Sequence, residues 1–308
     1  MFTKGTYITG YCVSKTETQG SYNFANIFIK GDAIMNERRI DVNNLTKVEE
    51  TLFITLYARA LDSISKNPIL DDKSAQDIVS QINYDFKALK VTKEKYNTGI
   101  RTKEMDLRIE RFISNHKNAI VLDLGCGLDS RILRVDPPNS VSWYDVDFPE
   151  VINLRKNFFS EKSGYHMLST SLLDSGWLKE IPNDRPVIIV ADGVLPFIEE
   201  KDIKELFIRL TNYFKTGEIV FNGYTTLAVK LMKNTPSIKA IGIEASMGFD
   251  DPREPEHWAP RLKLIEEAFL IESAFAARMP WGFRMLAALM SLNSNMKREG
   301  GRILRYQF

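Results

Sequence analysis

Apolar positions along this chain follow two rhythms. Between residues 47 and 66, Leu52, Leu56, Tyr57, Ala60, Leu61 and Ile64 recur at spacings of three and four, which collects them on one face of a helix. Asn67-Pro68 marks a turn, and Asp71-Asp72-Lys73-Ser74 offers cap residues for a second helix running to about Phe86. A third helix is expected over residues 103–115. From Ala119 onward, short apolar runs alternate with helical stretches. Residues 119–124, 141–145, 165–169, 186–191 and 218–222 read as strands, with helices starting near Leu128, Glu150, Ser175 and Glu200. This alternation predicts an α/β fold with a doubly wound, mostly parallel sheet and right-handed crossovers.

The rhythm is lost after residue 223. Residues 223–260 read as irregular. Pro260 suits the first turn of a helix reaching Ala268. Trp281, Phe283, Met285, Leu286, Leu289 and Met290 form a second apolar cluster, and the tail from Gly300 to Phe308 reads as a short strand. The expected organisation is one domain over 1–308. It divides into an N-terminal helical cap region (1–117) and a Rossmann-like core (118–308) with a lid-like insertion near 223–260. Residues 1–46 are mixed and polar and define no element.

Composition narrows the class. With 308 residues, 44% hydrophobic and 26% charged, the chain reads as soluble and globular. Its 41 basic and 40 acidic side chains leave a net charge of +1, so no overall field favours nucleic acid or an anionic membrane. The two cysteines, Cys12 and Cys126, form neither a close metal pair nor a disulfide framework. The amino terminus shows no apolar leader, and no apolar run approaches the ~20 residues that span a bilayer. A reduced, cytoplasmic protein is expected.

Candidate chemistry centres on Val121-Leu122-Asp123-Leu124-Gly125-Cys126-Gly127-Leu128-Asp129-Ser130-Arg131, an apolar strand followed by a glycine turn. Glycines let a ligand approach the backbone. The next strand ends in Asp145 and Asp147, and an acid there can accept hydrogen bonds from both hydroxyls of a ribose. Strand parity puts both acids on one face, so the pattern alone leaves the choice between them open. A dinucleotide site usually has a third glycine. Here Ser130 stands in that place, and Asp129 would repel a pyrophosphate. An adenosine cofactor without phosphate, S-adenosyl-L-methionine, fits the turn better.

Around this core the chain resembles the leucine carboxyl methyltransferase family, and within it a branch acting on polyketides. Val121 to Arg131, Trp143-Tyr144-Asp145-Val146-Asp147-Phe148-Pro149, Leu56-Tyr57-Ala58-Arg59, Ile100-Arg101-Thr102, Ser171-Leu172-Leu173-Asp174 and Ala191-Asp192-Gly193-Val194-Leu195-Pro196-Phe197 carry the resemblance, which covers roughly residues 50–225. It implies the seven-stranded class I methyltransferase fold and an O-methyltransferase that uses S-adenosyl-L-methionine. Gly125 and Gly127 would lie against the methionine and ribose, and Asp147 would hold the ribose hydroxyls. Ser171 and Leu172 would meet the adenine. Arg101 would clamp the methionine carboxylate, with Arg59 as a second positive contact, and Asp192 would face the amino group. Two positions depart from the family pattern: Ser171 where many relatives outside the branch have Asp, and Asp192 where Glu is usual.

The acceptor determines whether a base is required. A carboxylate is ionised at neutral pH, whereas a phenol benefits from a base. His116 and His166 read as structural, and His257 sits in the lid-like region, so no clear base emerges. That favours methyl ester formation on a small, polyketide-like carboxylate. Tyr84, Tyr96, Tyr224, Trp258 and Trp281 are candidate pocket aromatics. Three other readings stay open: a nicotinamide-dependent oxidoreductase, a protein C-terminal carboxyl methyltransferase and a degenerate cofactor-binding module. No catalytic residue and no metal site is indicated.

Overall fold

The computed structural model describes residues 39–308; Cys12, most of the polar stretch 1–46 and the leader reading lie outside the described residues. A two-residue parallel pair, β1 (Ile40–Asp41) with β2 (Ile82–Asn83), flanks a helical layer of α1 (Lys47–Glu50), α2 (Leu52–Ser63), α3 (Lys73–Gln81) and α4 (Glu94–Asn115). The periodic stretch 47–66 breaks at Thr51. Thr46 caps α1 in a reciprocal box with Glu49, and α2 then presents Leu52, Phe53 and Leu56 inward. Asp72 caps α3 through the Ala75 N–H, as its sequence position implies. That helix ends at Gln81 rather than Phe86, because the chain turns extended at Ile82 to pair with β1, and Phe86 packs on Phe53 and Tyr84. The third helix starts at Glu94, nine residues before the expected position. Its first turns, Glu94 to Gly99, are mostly polar, and Gly99 packs closely against Ile69 of the neighbouring segment.

Seven strands form the main sheet: β3 (Ile120–Leu124), β4 (Ser142–Asp147), β5 (Tyr165–Ser169), β6 (Val187–Ala191), β7 (Gly217–Gly223), β8 (Lys263–Phe269) and β9 (Arg302–Gln307). Their spatial order is β5-β4-β3-β6-β7-β9-β8, with β9 antiparallel to both neighbours and the rest parallel. The central strands read as continuous apolar runs because both faces are covered. Val121, Trp143, Ile188, Val190 and Ile303 pack in one core with Leu52, Leu56, Ile100, Met105 and Ile109 of the helical layer. Leu122, Val146, Ile189 and Phe221 pack in a second core with Ile203, Leu206, Phe207 and Leu210.

Between the strands run α5 (Arg131–Val135), α6 (Pro149–Arg155) and α7 (Glu200–Tyr213), while the helix expected near Ser175 is a single 3₁₀ turn, Trp177–Glu180. The region read as irregular holds three short helices, α8 (Thr226–Met232), α9 (Pro236–Ile241) and α10 (Glu254–Trp258). Thr225 caps α8, and proline opens α9. The helix expected from Pro260 is instead edge strand β8. Pairing with β9 and ion pairs from Glu266 to Arg108 and Arg305 and from Glu267 to Arg302 outweigh the local proline signal. The apolar cluster at 281–290 is helix α11 (Trp281–Met290). Among the described residues, no helix is long and apolar enough to cross a membrane.

Candidate functional site

Strand order reverses between β3 and β6, which opens a crevice at the carboxyl ends of the parallel strands. A cavity of about 870 Å³ lies there, walled also by residues of α1, α2, α4, α8 and α9. Arg59, Arg101, Gly125, Gly127, Asp147, Ser171, Leu172 and Asp192 all line it.

The glycine turn owes its shape to local geometry. Gly125 and Gly127 have φ of +63° and +51°, the left-handed region that favours glycine. A Cβ on Gly125 would lie 2.2 Å from Val194 Cγ2. The Gly125 N–H donates to Val146 O at 2.8 Å, and Asp147 Oδ2 accepts from Gly127 N–H at 2.7 Å. Asp147 Oδ1 accepts from Phe148 N–H at 2.8 Å. A carboxylate offers about four acceptor positions, so roughly two remain toward the cavity. Burial pushes the Asp147 carboxyl up to about 6, against the two backbone N–H donors.

The structure separates the two candidate acids. Asp145 is fully buried and accepts from Trp143 Nε1 at 2.7 Å, Tyr165 Oη at 2.6 Å and Arg155 Nη2 at 2.5 Å. Arg155, so anchored, donates through Nη1 to Gly127 O at 3.0 Å and Asp129 O at 2.7 Å. Asp145 therefore holds the glycine loop from beneath, and Asp147 faces the cavity.

Beside the loop lies a continuous network of buried ions. Arg131 reaches Asp106 at 3.0 Å, Asp123 at 2.8 Å, Asp129 at 3.4 Å and Asp192 at 2.8 Å. Arg134 reaches Asp72, Asp106 and Asp129. Arg59 bonds Asp72 at 3.1 Å and Leu128 O at 3.0 Å, tying α2 to α3 and to the loop. Burial opposes the charge on Asp129, yet Arg134, Arg59 and Arg131 hold its carboxyl well below the usual range. The acid expected to repel a pyrophosphate is thus part of the scaffold.

Arg101 Nε lies 2.5 Å from Asp192 Oδ1, yet both atoms are buried without an aligned hydrogen-bond partner. Arg101 Nη1 donates to Tyr224 Oη at 3.2 Å, and Asp192 Oδ2 accepts from Thr102 Oγ1 at 3.2 Å. Ser171 Oγ accepts from Leu173 N–H at 3.2 Å, and Leu172 is buried.

Of the candidate aromatics, Tyr224 lines the cavity. Trp258 packs on Phe249 and Phe207, Tyr84 on Phe53 and Tyr96 on Phe283, while Trp281 is exposed. His116 packs on Phe112, His166 stacks on Tyr144, and His257 is exposed on α10. Cys126 is buried at the loop, and burial pushes its thiol well up. Sequence reasoning missed Thr102, Asp106, Arg134 and Arg155. The one visible signal was spacing: Thr102 and Asp106 stand four apart on α4, and Arg131 and Arg134 three apart on α5, so each pair shares a face.

Known proteins resemble this chain. The leucine carboxyl methyltransferase model matches residues 53–211. The tetracenomycin polyketide synthesis O-methyltransferase of Streptomyces glaucescens is 35% identical over 265 residues, which cover 86% of this chain and 98% of the relative. An S-adenosyl-L-methionine-dependent methyltransferase of Gibberella zeae is 31% identical over 282 residues, covering 84% and 93%. A crystal structure of a DUF574 family protein from Streptomyces avermitilis has a TM-score of 0.53 at 14% identity, covering 83% of this chain and 96% of that one, a likeness of fold. The chain belongs to the leucine carboxyl methyltransferase family and is an S-adenosyl-L-methionine-dependent methyltransferase.

Proposed function

We propose that this enzyme is an O-methyltransferase that esterifies the carboxylate of a small, polyketide-like molecule. The observation that carries the cofactor half is the Arg101–Asp192 pair, with Nε and Oδ1 buried, unaligned and beside the cavity. Such orphaned atoms fit a ligand zwitterion, Arg101 taking its carboxylate and Asp192 its ammonium. Asp147 has acceptor capacity left for a ribose diol, and Gly125 and Gly127, in the left-handed region, shape the loop that borders the cavity. Ser171 and Leu172 would border the adenine. Arg59, already bonded to Asp72 and Leu128 O, would position the loop more than touch the ligand. S-adenosyl-L-methionine supplies a methyl group already activated by the sulfonium charge.

The residues' remaining task is to orient the acceptor and exclude water, the source of much of the rate in such a transfer. An acceptor carboxylate arrives ionised and needs no proton removed. None of the three histidines lines the cavity: His116 and His166 pack on aromatic rings, and His257 is exposed on α10, which accords with that choice. Similarity to an enzyme of tetracenomycin polyketide synthesis supports the acceptor class. The helices α8 and α9, which contribute Met232 and Ile238 to the cavity wall, would act as the lid of a single domain.

Asp147→Ala and Arg101→Ala should each weaken S-adenosyl-L-methionine binding at least about tenfold, or on the order of 1.4 kcal/mol. Isothermal titration checks this, and unchanged affinity in folded variants would remove both residues from the cofactor site. Incubation of a metabolite extract with methyl-labelled cofactor tests the acceptor. A base-labile labelled product is expected, and a base-stable one would indicate an ether.

The raised Asp147 carboxyl adds a pH signature. Diol binding uses the ionised form, so affinity should fall as pH drops through about 6, by up to about tenfold per unit. Stability of the free protein runs the other way. A carboxyl raised in the folded state favours folding most when protonated, and that contribution is lost between its ordinary value and about 6 as pH rises. Titrations of S-adenosylhomocysteine from pH 5 to 8 should show the affinity slope in the wild type and not in Asp147→Asn.

A further inference from the structure

The network beneath the cofactor cavity is not electrically balanced. Its four guanidinium groups, Arg59, Arg101, Arg131 and Arg134, are joined through direct ion pairs to five carboxylates, Asp72, Asp106, Asp123, Asp129 and Asp192. Eight of the nine residues are at least nine-tenths buried or line the cavity, and the Arg134 side chain is only 15% exposed, so solvent screens the surplus poorly. Asp106 is the member farthest in function from any ligand, because its oxygens meet only Arg131 and Arg134.

We infer that the surplus carboxylate of this network makes the site read the charge of its cofactor, favouring the sulfonium donor over its uncharged thioether product. This rests on the cofactor placement proposed above. With ammonium and sulfonium against one carboxylate, the donor brings a net positive charge, which the network's extra negative charge complements. After methyl transfer the ligand's ammonium and carboxylate cancel, the surplus returns, and the product is held less tightly. The network thereby assists product release.

Without a cationic ligand, the surplus is relieved by a proton shared within the network. Asp123 is its natural seat. It faces Arg131 from α5, Asp145 from the adjacent strand, Asp129 and Cys126 from the glycine loop, and the network's Asp106 and Asp192 across Arg131. Burial pushes its carboxyl up, to about 7, against the pull of Arg131. Because the sites are coupled, the proton belongs to the group as a whole.

Two experiments test the inference. Titrations of the wild type at pH 7 in buffers of different ionisation enthalpy count protons. The donor should release up to about half a proton on binding, and S-adenosylhomocysteine almost none. Titration of either ligand's own amino group as it meets Asp192 would give uptake, the opposite sign. Asp106→Asn then balances the network without touching the cofactor. In the folded variant the preference for donor over product should fall about tenfold, the scale of a unit charge at ~10 Å and an effective dielectric of ~20. Sinefungin, which carries an amine in place of the sulfonium, should follow the donor. Equal proton release by donor and product, or an unchanged preference in folded Asp106→Asn, would overturn the inference. If the variant does not fold, proton counting on the wild type decides alone. Failure of any cofactor to bind would instead defeat the cofactor placement.

Discussion

Arg131→Ala should destabilise the protein by about 3–5 kcal/mol, the usual cost of removing one partner from a buried ion group. For a chain of this size that lowers the melting temperature by about 5–8 °C. The guanidinium is 1% exposed and is the point where α4, β3, the glycine loop and the segment after β6 meet, through Asp106, Asp123, Asp129 and Asp192. Arg134 remains for Asp106 and Asp129, and Arg101 for Asp192, so Asp123 is left with the weakest compensation. An orphaned buried carboxyl has its pKa raised further in the folded state. Its contribution to stability is present at low pH and lost as pH rises through that folded value. The deficit of Arg131→Ala against the wild type should therefore shrink on going from pH 8 to pH 5.5. Urea denaturation at three pH values measures this. A deficit that does not change with pH would mean that Arg131 acts by packing alone.

The network also marks the boundary of what the chain reveals before folding. Strands β3 to β7 are legible to within two residues, because burial on both faces writes them as apolar runs between turns. Gly125, Gly127 and Asp147 are legible for a related reason: loop and strand end are close in sequence, and their chemistry is local. The choice between Asp145 and Asp147 was not. Both have the same parity, and what separates them is Arg155 and Tyr165, which arrive from a helix and a neighbouring strand to saturate Asp145. Arg101 and Asp192 were visible only through family resemblance, since their meeting depends on α4 crossing the end of β6. Strand β8 was misread because Pro260 is a local helix signal, whereas pairing with β9 and the ion pairs of Glu266 and Glu267 are tertiary. Local propensity is a weak prior, and such contacts override it.

Gly125→Ala should be the most damaging small substitution in the glycine loop. Its φ of +63° costs an alanine about 1–2 kcal/mol, and the added Cβ would sit 2.2 Å from Val194 Cγ2, an overpacking of about 1–3 kcal/mol more. Neither partner yields easily. Gly125 is pinned to Val146 through its N–H, and Val194 follows Gly193, whose N–H donates to Asn222. The loop would shift instead, carrying the Gly127 N–H away from Asp147, so cofactor affinity should fall at least about tenfold along with stability. Val194→Ala separates the two costs. In the double variant the contact with Cγ2 is gone while the left-handed backbone remains, so the pair should show a favourable coupling of about 1–3 kcal/mol. Denaturation of the four proteins, with a cofactor titration on each folded one, gives both numbers. Strict additivity would mean that the backbone conformation alone excludes a side chain at this turn, and that Val194 plays no part in shaping it.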